Sequence, residues 1–538
     1  MQRTPWISLV TLNASFQHCA FGLRYLKANL AELEPACLIQ EFTTRLSADH
    51  VVEKILSEKP LVVGFGIYIW NTTQTQEVIR LLAEKDPAVI IVCGGPEVSF
   101  ETETQPFYEL ADFLVCGEGE QIFLDLCRQI RDGVRGKKGQ DSSAATVLRG
   151  MLPDIQTVKM PYALYSDEDL RNRTIYVEAS RGCPYKCEYC LSSLDQEVRA
   201  FPLETFLEQM DGLIQRGVRG LKFVDRTFNL SPKVSQRILQ FFLDRLQYPI
   251  FLHFEMVPDR LPQELRALIQ QFPEGRLQFE IGIQTWDSRV AALVSRRQNY
   301  DRIRENLVYL RTQTQVHIHA DLIVGLPGET LQSFAEGFDQ LYKLNPHEIQ
   351  VGLLKRLKGT PIVRHDEKFG MKYSAIPPFT VLQTSTLSSN EINRLNSFAK
   401  WWDLIANSGR FTHWMGWVRE LDPKSPFAFF SSVFADLEGL FLGQKPAPAA
   451  LTGSLFECSL GAAHSEQPAA DSEVFKTEVL RALRLDYIAS GNTDRPKKIF
   501  SKLQLGSVAD ANRAIEKNRC NVSTVPVRQA RHRRSDLN

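Results

Sequence analysis

From residue 6 onward, short runs of Val, Ile, Leu and Phe alternate with segments whose apolar side chains recur at helical spacing: "WISLVTLN", "GLRYLKANLAEL", "CLIQEF", "ADHVVEKILSEK", "LVVGFGIYI", "TQEVIRLLAEK", "VIIVCGG", "ADFLVCGEGE" and "QIFLDLCRQIRDG". The runs are nearly continuous, as strands covered on both faces require, and the segments between them predict βαβ units around a parallel sheet. This gives a doubly wound domain over residues 1–135. "RGKKGQDSSAATVLRG" then reads as a polar boundary loop followed by an edge strand, with residues 136–170 as linker and edge segment.

The alternation resumes with "TIYVEAS" and continues through "ETFLEQMDGLIQRG", "GLKFVDRTFN", "KVSQRILQFFLDRL", "IFLHFEMV", "PQELRALIQQF", "LQFEIGIQTW", "DRIRENLVYLRTQ", "VHIHADLIVGLPGET", "LQSFAEGFDQLYKL" and "EIQVGLLKRLKGTP". About six β/α pairs in one direction predict a partial (β/α)6 TIM-like barrel over residues 171–374, with chemistry at the carboxyl ends of its strands. Residues 375–538 turn helical and aromatic, and "EINRLNSFAKWWDLIANSG" and "FTHWMGWVREL" hold four of the seven tryptophans. A helical extension packing those rings into a core is expected; a substrate-pocket wall is the alternative. The Ala-, Pro-, Gly- and Ser-rich residues 442–472 read partly as linker, and "VRQARHRRSDLN" as a basic tail.

Charge narrows the classes. The chain has 63 basic and 63 acidic residues, so no domain-scale basic field points to nucleic acid or an anionic membrane. No stretch approaches the roughly 20 apolar residues of a spanning helix, and no apolar run with a cleavage signal opens the chain. A soluble cytoplasmic protein is expected, and in that reducing setting clustered cysteines point to a metal or to catalysis.

Such a cluster follows the first barrel strand. "EASRGCPYKCEYCLSS" places Cys183, Cys187 and Cys190 within eight positions, with Gly182 and Pro184 turning the chain. A structural zinc site wants a fourth ligand, and no Cys or His follows within thirty residues. Three thiolates leave one iron of a four-iron cluster open to an outside ligand.

The CxxxCxxC motif, with the aromatic Tyr189 before its last cysteine, resembles that of the radical S-adenosylmethionine (SAM) enzymes. The resemblance implies a 4Fe-4S cluster on Cys183, Cys187 and Cys190 that binds SAM and splits it to a 5′-deoxyadenosyl radical. It further implies SAM contacts from Tyr189; from Asp225 in "VDRTFN", where the family has a Gly-Gly-Glu stretch; from Glu280 and Gln284 in "EIGIQTW"; and from Gly325, Leu326 and Pro327 in "LIVGLPGE".

In the first domain, "TLNASFQ" lacks the paired acidic residues of a receiver module. The glycine-bearing strand ends are similar instead to the flavodoxin-like cobalamin-binding domain of one large radical SAM class. That implies cobalamin contacts from Asn13, Gly66, Tyr68, Gly94, Gly95, Pro96, Glu97, Gly117, Glu118 and Gly119. The DxHxxG cobalt-ligand motif is broken at His18, which is expected to be a loop residue. Residues 375–538 resemble an uncharacterised extension found on some members of that class.

Together these resemblances imply methylation of an unactivated carbon of an unidentified small-molecule or peptide substrate, with electrons from a flavodoxin or ferredoxin. Rearrangement, cyclisation or oxidation without methyl transfer is the alternative within the class. A methylthiotransferase would want a second cysteine set. A non-catalytic cobalamin sensor would have no use for the cysteine triad.

Overall fold

The computed structural model describes residues 5–134, 136–137, 144–195, 197–466 and 473–490. The basic tail at 527–538 and parts of the expected linkers at 136–170 and 442–472 lie outside the described residues. The chain divides into two compact units. The first holds residues 1–255, 355–364 and 373–380; the second holds residues 256–354, 365–372 and 381–538.

The first unit opens with a parallel sheet of six strands: β1 (Ile7–Asn13), β2 (Cys37–Thr43), β3 (Val62–Gly66), β4 (Ile90–Gly94), β5 (Phe113–Cys116) and β6 (Thr146–Arg149). Their order is β2-β1-β3-β4-β5-β6. β1 and β3 are buried along their whole length, whereas the edge strands β2 and β6 are partly open, so apolar continuity tracks position in the sheet. The expected edge strand is present as β6, and the sheet therefore takes its last strand from inside the segment read as linker. The order reverses between β1 and β3, the switch point at which doubly wound sheets open a crevice at their carboxyl ends.

Three parallel strands of the second β/α array follow in this unit: β7 (Ile175–Val177), β10 (Gly220–Phe223) and β11 (Phe251–Met256), with β10 paired to both neighbours. Between β7 and β10 the chain makes a two-residue antiparallel neck, β8 (Ser180–Arg181) against β9 (Arg199–Ala200). The segment before β7 is tied down by a closed ionic network. Arg24 lies 2.9 Å from both Glu41 and Asp169, while Arg173 lies 2.7 Å from Glu41 and 2.9 Å from Asp169. All four side chains are between 5% and 11% exposed.

The second unit holds β12 (Leu277–Gln284), β13 (His317–Val324) and β14 (Glu348–Leu353), parallel and in that order. Its C-terminal helices, Ser389–Trp402, Thr412–Leu421, Pro426–Phe441, Pro448–Glu466 and Glu473–Ala489, carry the tryptophans. Trp401, Trp402, Trp414 and Trp417 are buried, and the indole N–H groups of Trp401, Trp402 and Trp414 donate to Glu438, the Ile349 carbonyl and Ser459. The core reading holds for these rings. Residues 448–466 are helical where composition suggested linker: Leu451, Leu455, Cys458, Ser459 and Ala462 are buried at helical spacing, and small residues there admit close packing. Among the described residues, no helix is long and apolar enough to cross a membrane.

The Arg24–Glu41–Asp169–Arg173 network makes a testable demand. Burial pushes the Glu41 and Asp169 carboxyls up, but the attraction of Arg24 and the hydrogen bonds from Arg173 outweigh it, and both lie below their ordinary values. Their stabilisation is present above the unfolded carboxylate range, near pH 4, and is lost as pH falls through the depressed folded values. Glu41→Gln is expected to cost about 3 kcal/mol at pH 7, since one partner of an enclosed pair is removed. The gap from wild type should narrow toward pH 3. Urea unfolding midpoints at the two pH values check this, and equal midpoints at pH 7 would refute it.

Candidate functional site

Gly66 and Gly94 end β3 and β4, and Gly117 follows β5 directly. With no β-carbons at these positions, the carboxyl ends of the strands leave a cavity of about 290 Å³ walled by Leu9, Phe65, Val92, Val115 and Phe123. Gly95 turns the chain at φ +110°, where a β-carbon would lie 2.6 Å from the Ile67 carbonyl oxygen, so only glycine fits. Tyr68 lines the cavity and stacks on the half-exposed ring of Trp70, centroids 4.5 Å apart.

Gly66, Tyr68, Gly94, Gly95, Gly117, Glu118 and Gly119 thus line one cavity, as expected of a ligand site. Asn13, Pro96 and Glu97 are not in its wall. The Asn13 amide donates to the His18 carbonyl (2.8 Å) and to Glu41 (3.2 Å), and buried Glu97 pairs with Lys358 at 2.7 Å. His18 is also off the wall, its Nδ1 2.6 Å from the Tyr176 hydroxyl. Sequence reasoning missed Phe21, Tyr25, Gly64, Glu120, Glu178 and Arg181, which also line it. "SRGCP" was the available signal for Arg181, a cation immediately before the cysteine turn.

Past the neck the chain forms the cysteine loop. Gly182 has φ +90°, and a β-carbon there would run into the Glu197 carbonyl oxygen, so the turn into the first cysteine depends on it. The Cys183 N–H donates to the Asp195 carbonyl, and the Cys190 N–H to that of Cys187. Cys183 and Cys187 are buried and Cys190 is half-buried. Burial holds the Cys183 thiol above its ordinary value; the Tyr185 backbone and Arg226 oppose this, while Cys190 and Cys187 add to it. Among the described residues, no three His, Cys, Asp or Glu side chains surround one point as ligands of a single ion would. A multi-iron cluster needs no such convergence, because each thiolate meets a different iron, and the donor set suits it.

Tyr189 is half-buried on this loop. Glu188 beside it is 3% exposed and held twice by the segment after β14: its carbonyl accepts from the Ile362 N–H at 3.0 Å, and its carboxylate pairs with Arg364. The same segment sends Lys358 to Glu97 and Arg356 to Glu101.

Asp225 follows β10 and is 5% exposed. Its oxygens accept from the Ala179 N–H (3.0 Å) and the Ser180 hydroxyl (2.6 Å), so the carboxyl fastens the end of β10 to the residues leading into the cysteines. Burial, only partly offset by those bonds, pushes it up to about 6. Arg226 pairs with Glu255 at 2.9 Å.

Glu280, Gln284, Gly325, Leu326 and Pro327 belong to the second unit. Glu280, Gly282 and Gln284 are half-exposed and alternate with buried Phe279, Ile281 and Ile283. Gln284 has φ +72° where the pairing with β13 shifts register, a strained backbone of the kind found at ligand sites. Leu326 is fully buried after β13. Glu329 went unnoticed in the sequence: it is buried, accepts from the Thr285 hydroxyl at 3.1 Å, and is raised by burial to about 8.

Comparison with known proteins agrees with this division of labour. The family model described as B12 binding domain matches residues 7–127, that of the Radical SAM superfamily matches residues 177–341, and one described as Protein of unknown function (DUF4080) matches residues 367–535. The 2-(S-pantetheinyl)-carbapenam-3-carboxylate methyltransferase of Streptantibioticus cattleyicolor is 24% identical over 359 residues, covering 59% of this chain and 50% of the relative. The cobalamin-dependent radical SAM methyltransferase TokK of Streptomyces tokunonensis is 24% identical over 371 residues, covering 60% and 50%. The chain spans about half the length of these curated relatives. The structure of OxsB, a cobalamin-dependent SAM radical enzyme with aqua-cobalamin and SAM bound, superposes with a TM-score of 0.58 at 13% identity, covering 99% of this chain and 83% of that one, a likeness of fold. The glycines that line the cavity fall within the B12-binding match and the cysteine loop within the radical SAM match, so the chain joins a segment similar to B12-binding domains to one similar to the Radical SAM superfamily.

Proposed function

We propose that this protein is a cobalamin-dependent radical SAM enzyme that methylates an unactivated carbon of a small-molecule or peptide substrate. The observation that carries the reading is the joining, in one unit, of a three-thiol loop to a glycine-lined cavity through Arg181, which lines the cavity two residues before Cys183. The methyltransferase names of the relatives support methyl transfer as the outcome. When bound, the cluster and SAM supply a deoxyadenosyl radical and cobalamin supplies the methyl group.

In this reading Cys183, Cys187 and Cys190 hold the cluster, and electrons come from a small redox protein such as a flavodoxin or ferredoxin. Tyr189, on the same loop, contacts SAM. The cavity is too small for a corrin ring but admits a flat aromatic group pressed against backbone, so it takes the nucleotide base of cobalamin. Asp225 acts as a strut beneath the cysteine loop, because its oxygens already hold Ala179 and Ser180.

Anaerobic reconstitution should give about four iron and four sulfide per chain. Cys187→Ala should lose the iron and keep corrinoid binding. Gly94→Leu should do the reverse: a β-carbon at 94 meets nothing closer than 3.5 Å, and the rest of the side chain fills the cavity. Metal analysis and the visible corrinoid spectrum read both, and about eight irons in wild type, or unimpaired corrinoid binding by Gly94→Leu, would overturn the assignment.

Asp225→Asn separates strut from SAM ligand. Asp225 is protonated in the folded protein between about pH 4 and 6, where the unfolded chain ionises. Its stabilising contribution is therefore complete below about pH 4 and is lost, by up to about 3 kcal/mol, as pH rises through 6. Asparagine cannot ionise, so wild type should lose ground to the variant between pH 5 and 7.5 while SAM affinity stays within about twofold, since no charge-assisted bond to SAM is removed. A tenfold loss of SAM affinity with parallel stability curves would return Asp225 to the SAM site.

A further inference from the structure

Arg181 and Arg199 face each other directly across the neck of the cysteine loop. Like charges at opposed positions of an antiparallel pair repel, and these two side chains are only 12% and 11% exposed, so water screens them little. The residue between them is Glu118. One of its oxygens lies 2.7 Å from Arg181 Nη1, and the other pairs with Arg199. Arg181 completes its donors with Glu120 and Glu178, both at 2.8 Å, and stacks over the Tyr25 ring at 4.5 Å. Arg199 adds Asp195 at 2.9 Å, the residue whose carbonyl accepts from Cys183.

Glu118, Glu120, Glu178, Arg181 and Tyr25 are also wall residues of the cavity. The groups that hold the neck closed are therefore those that a ligand in the cavity touches. We propose that Glu118 is a positioning residue that clamps the cysteine loop at its neck, so that filling the cavity tightens the loop bearing Cys183, Cys187 and Cys190. This rests on the reading that the cavity takes cobalamin. The B12-binding segment would thus order the cluster loop as well as hold its own cofactor.

The test uses full-length protein before cluster reconstitution, with alkylation of the three thiols followed by peptide mass spectrometry, with and without hydroxocobalamin. In wild type, cobalamin should slow alkylation of all three at least threefold. In Glu118→Gln, which leaves two guanidiniums opposed, the rate without cobalamin should rise, and cobalamin, raised until the corrinoid spectrum shows full occupancy, should change the rate less than 1.5-fold. Arg199→Gln removes the opposed cation instead and should likewise uncouple the two, which keeps the proposal falsifiable if Glu118→Gln does not fold. Cobalamin bound to wild type with unchanged alkylation would overturn the clamp and leave the cobalamin site standing. Protection that persists in Glu118→Gln would show direct shielding by the ligand and overturn the role of Glu118. No corrinoid bound by wild type would overturn the cobalamin reading and the clamp with it.

Discussion

Two guanidinium groups held opposite one another away from water need an anion between them, and the arrangement of the first unit follows from where that anion comes from. Glu118 belongs to the loop after β5, so the end of the B12-binding sheet supplies the charge that lets the cysteine loop close. A neutral residue at 118 would leave Arg181 with Glu120 and Glu178 and Arg199 with Asp195, but no anion shared between the two opposed guanidiniums. Similar logic recurs on the other side of the loop, where Arg364 meets buried Glu188 and Lys358 meets buried Glu97. Two loops whose glycines open a ligand cavity thus use their carboxylates to hold other parts of the chain.

Local chemistry was legible in the sequence; tertiary charge pairing was not. The cysteine spacing, the glycines at strand ends and the strand–helix alternation are each set within a few residues, and the structure reproduces them. Glu97 and Glu118 sit among those glycines and read naturally as ligand contacts; Glu118 lines the cavity and also pairs with residues 181 and 199, while Glu97 is off its wall and pairs with 358. Nothing local marks such pairs, because an arginine beside a cysteine turn reads equally well as a solvated charge. Asp225 likewise has partners that its place at a strand end does not announce, the Ala179 N–H and the Ser180 hydroxyl.

Composition misled in the opposite direction at residues 448–466. Alanine, glycine and serine mark flexible linkers, but they also let helices approach closely, and only the burial of Leu451, Leu455 and Ala462 separates the two cases. Ser459, which looks like a linker residue, is fully buried and accepts the Trp414 indole proton at 3.0 Å. The aromatic helices around it form a core in which Trp401, Trp402, Trp414 and Trp417 are buried.

In the proposed function the cysteine loop is the seat of radical generation, and the glycine-lined domain serves the same reaction. Its most direct test is SAM cleavage. Anaerobically reconstituted protein, supplied with a strong reductant, cobalamin and SAM, should release 5′-deoxyadenosine, and replacing any one of Cys183, Cys187 or Cys190 with alanine should abolish the release. Deoxyadenosine formation that survives in all three variants, or none from wild type with its iron and corrinoid fully loaded, would contradict the account.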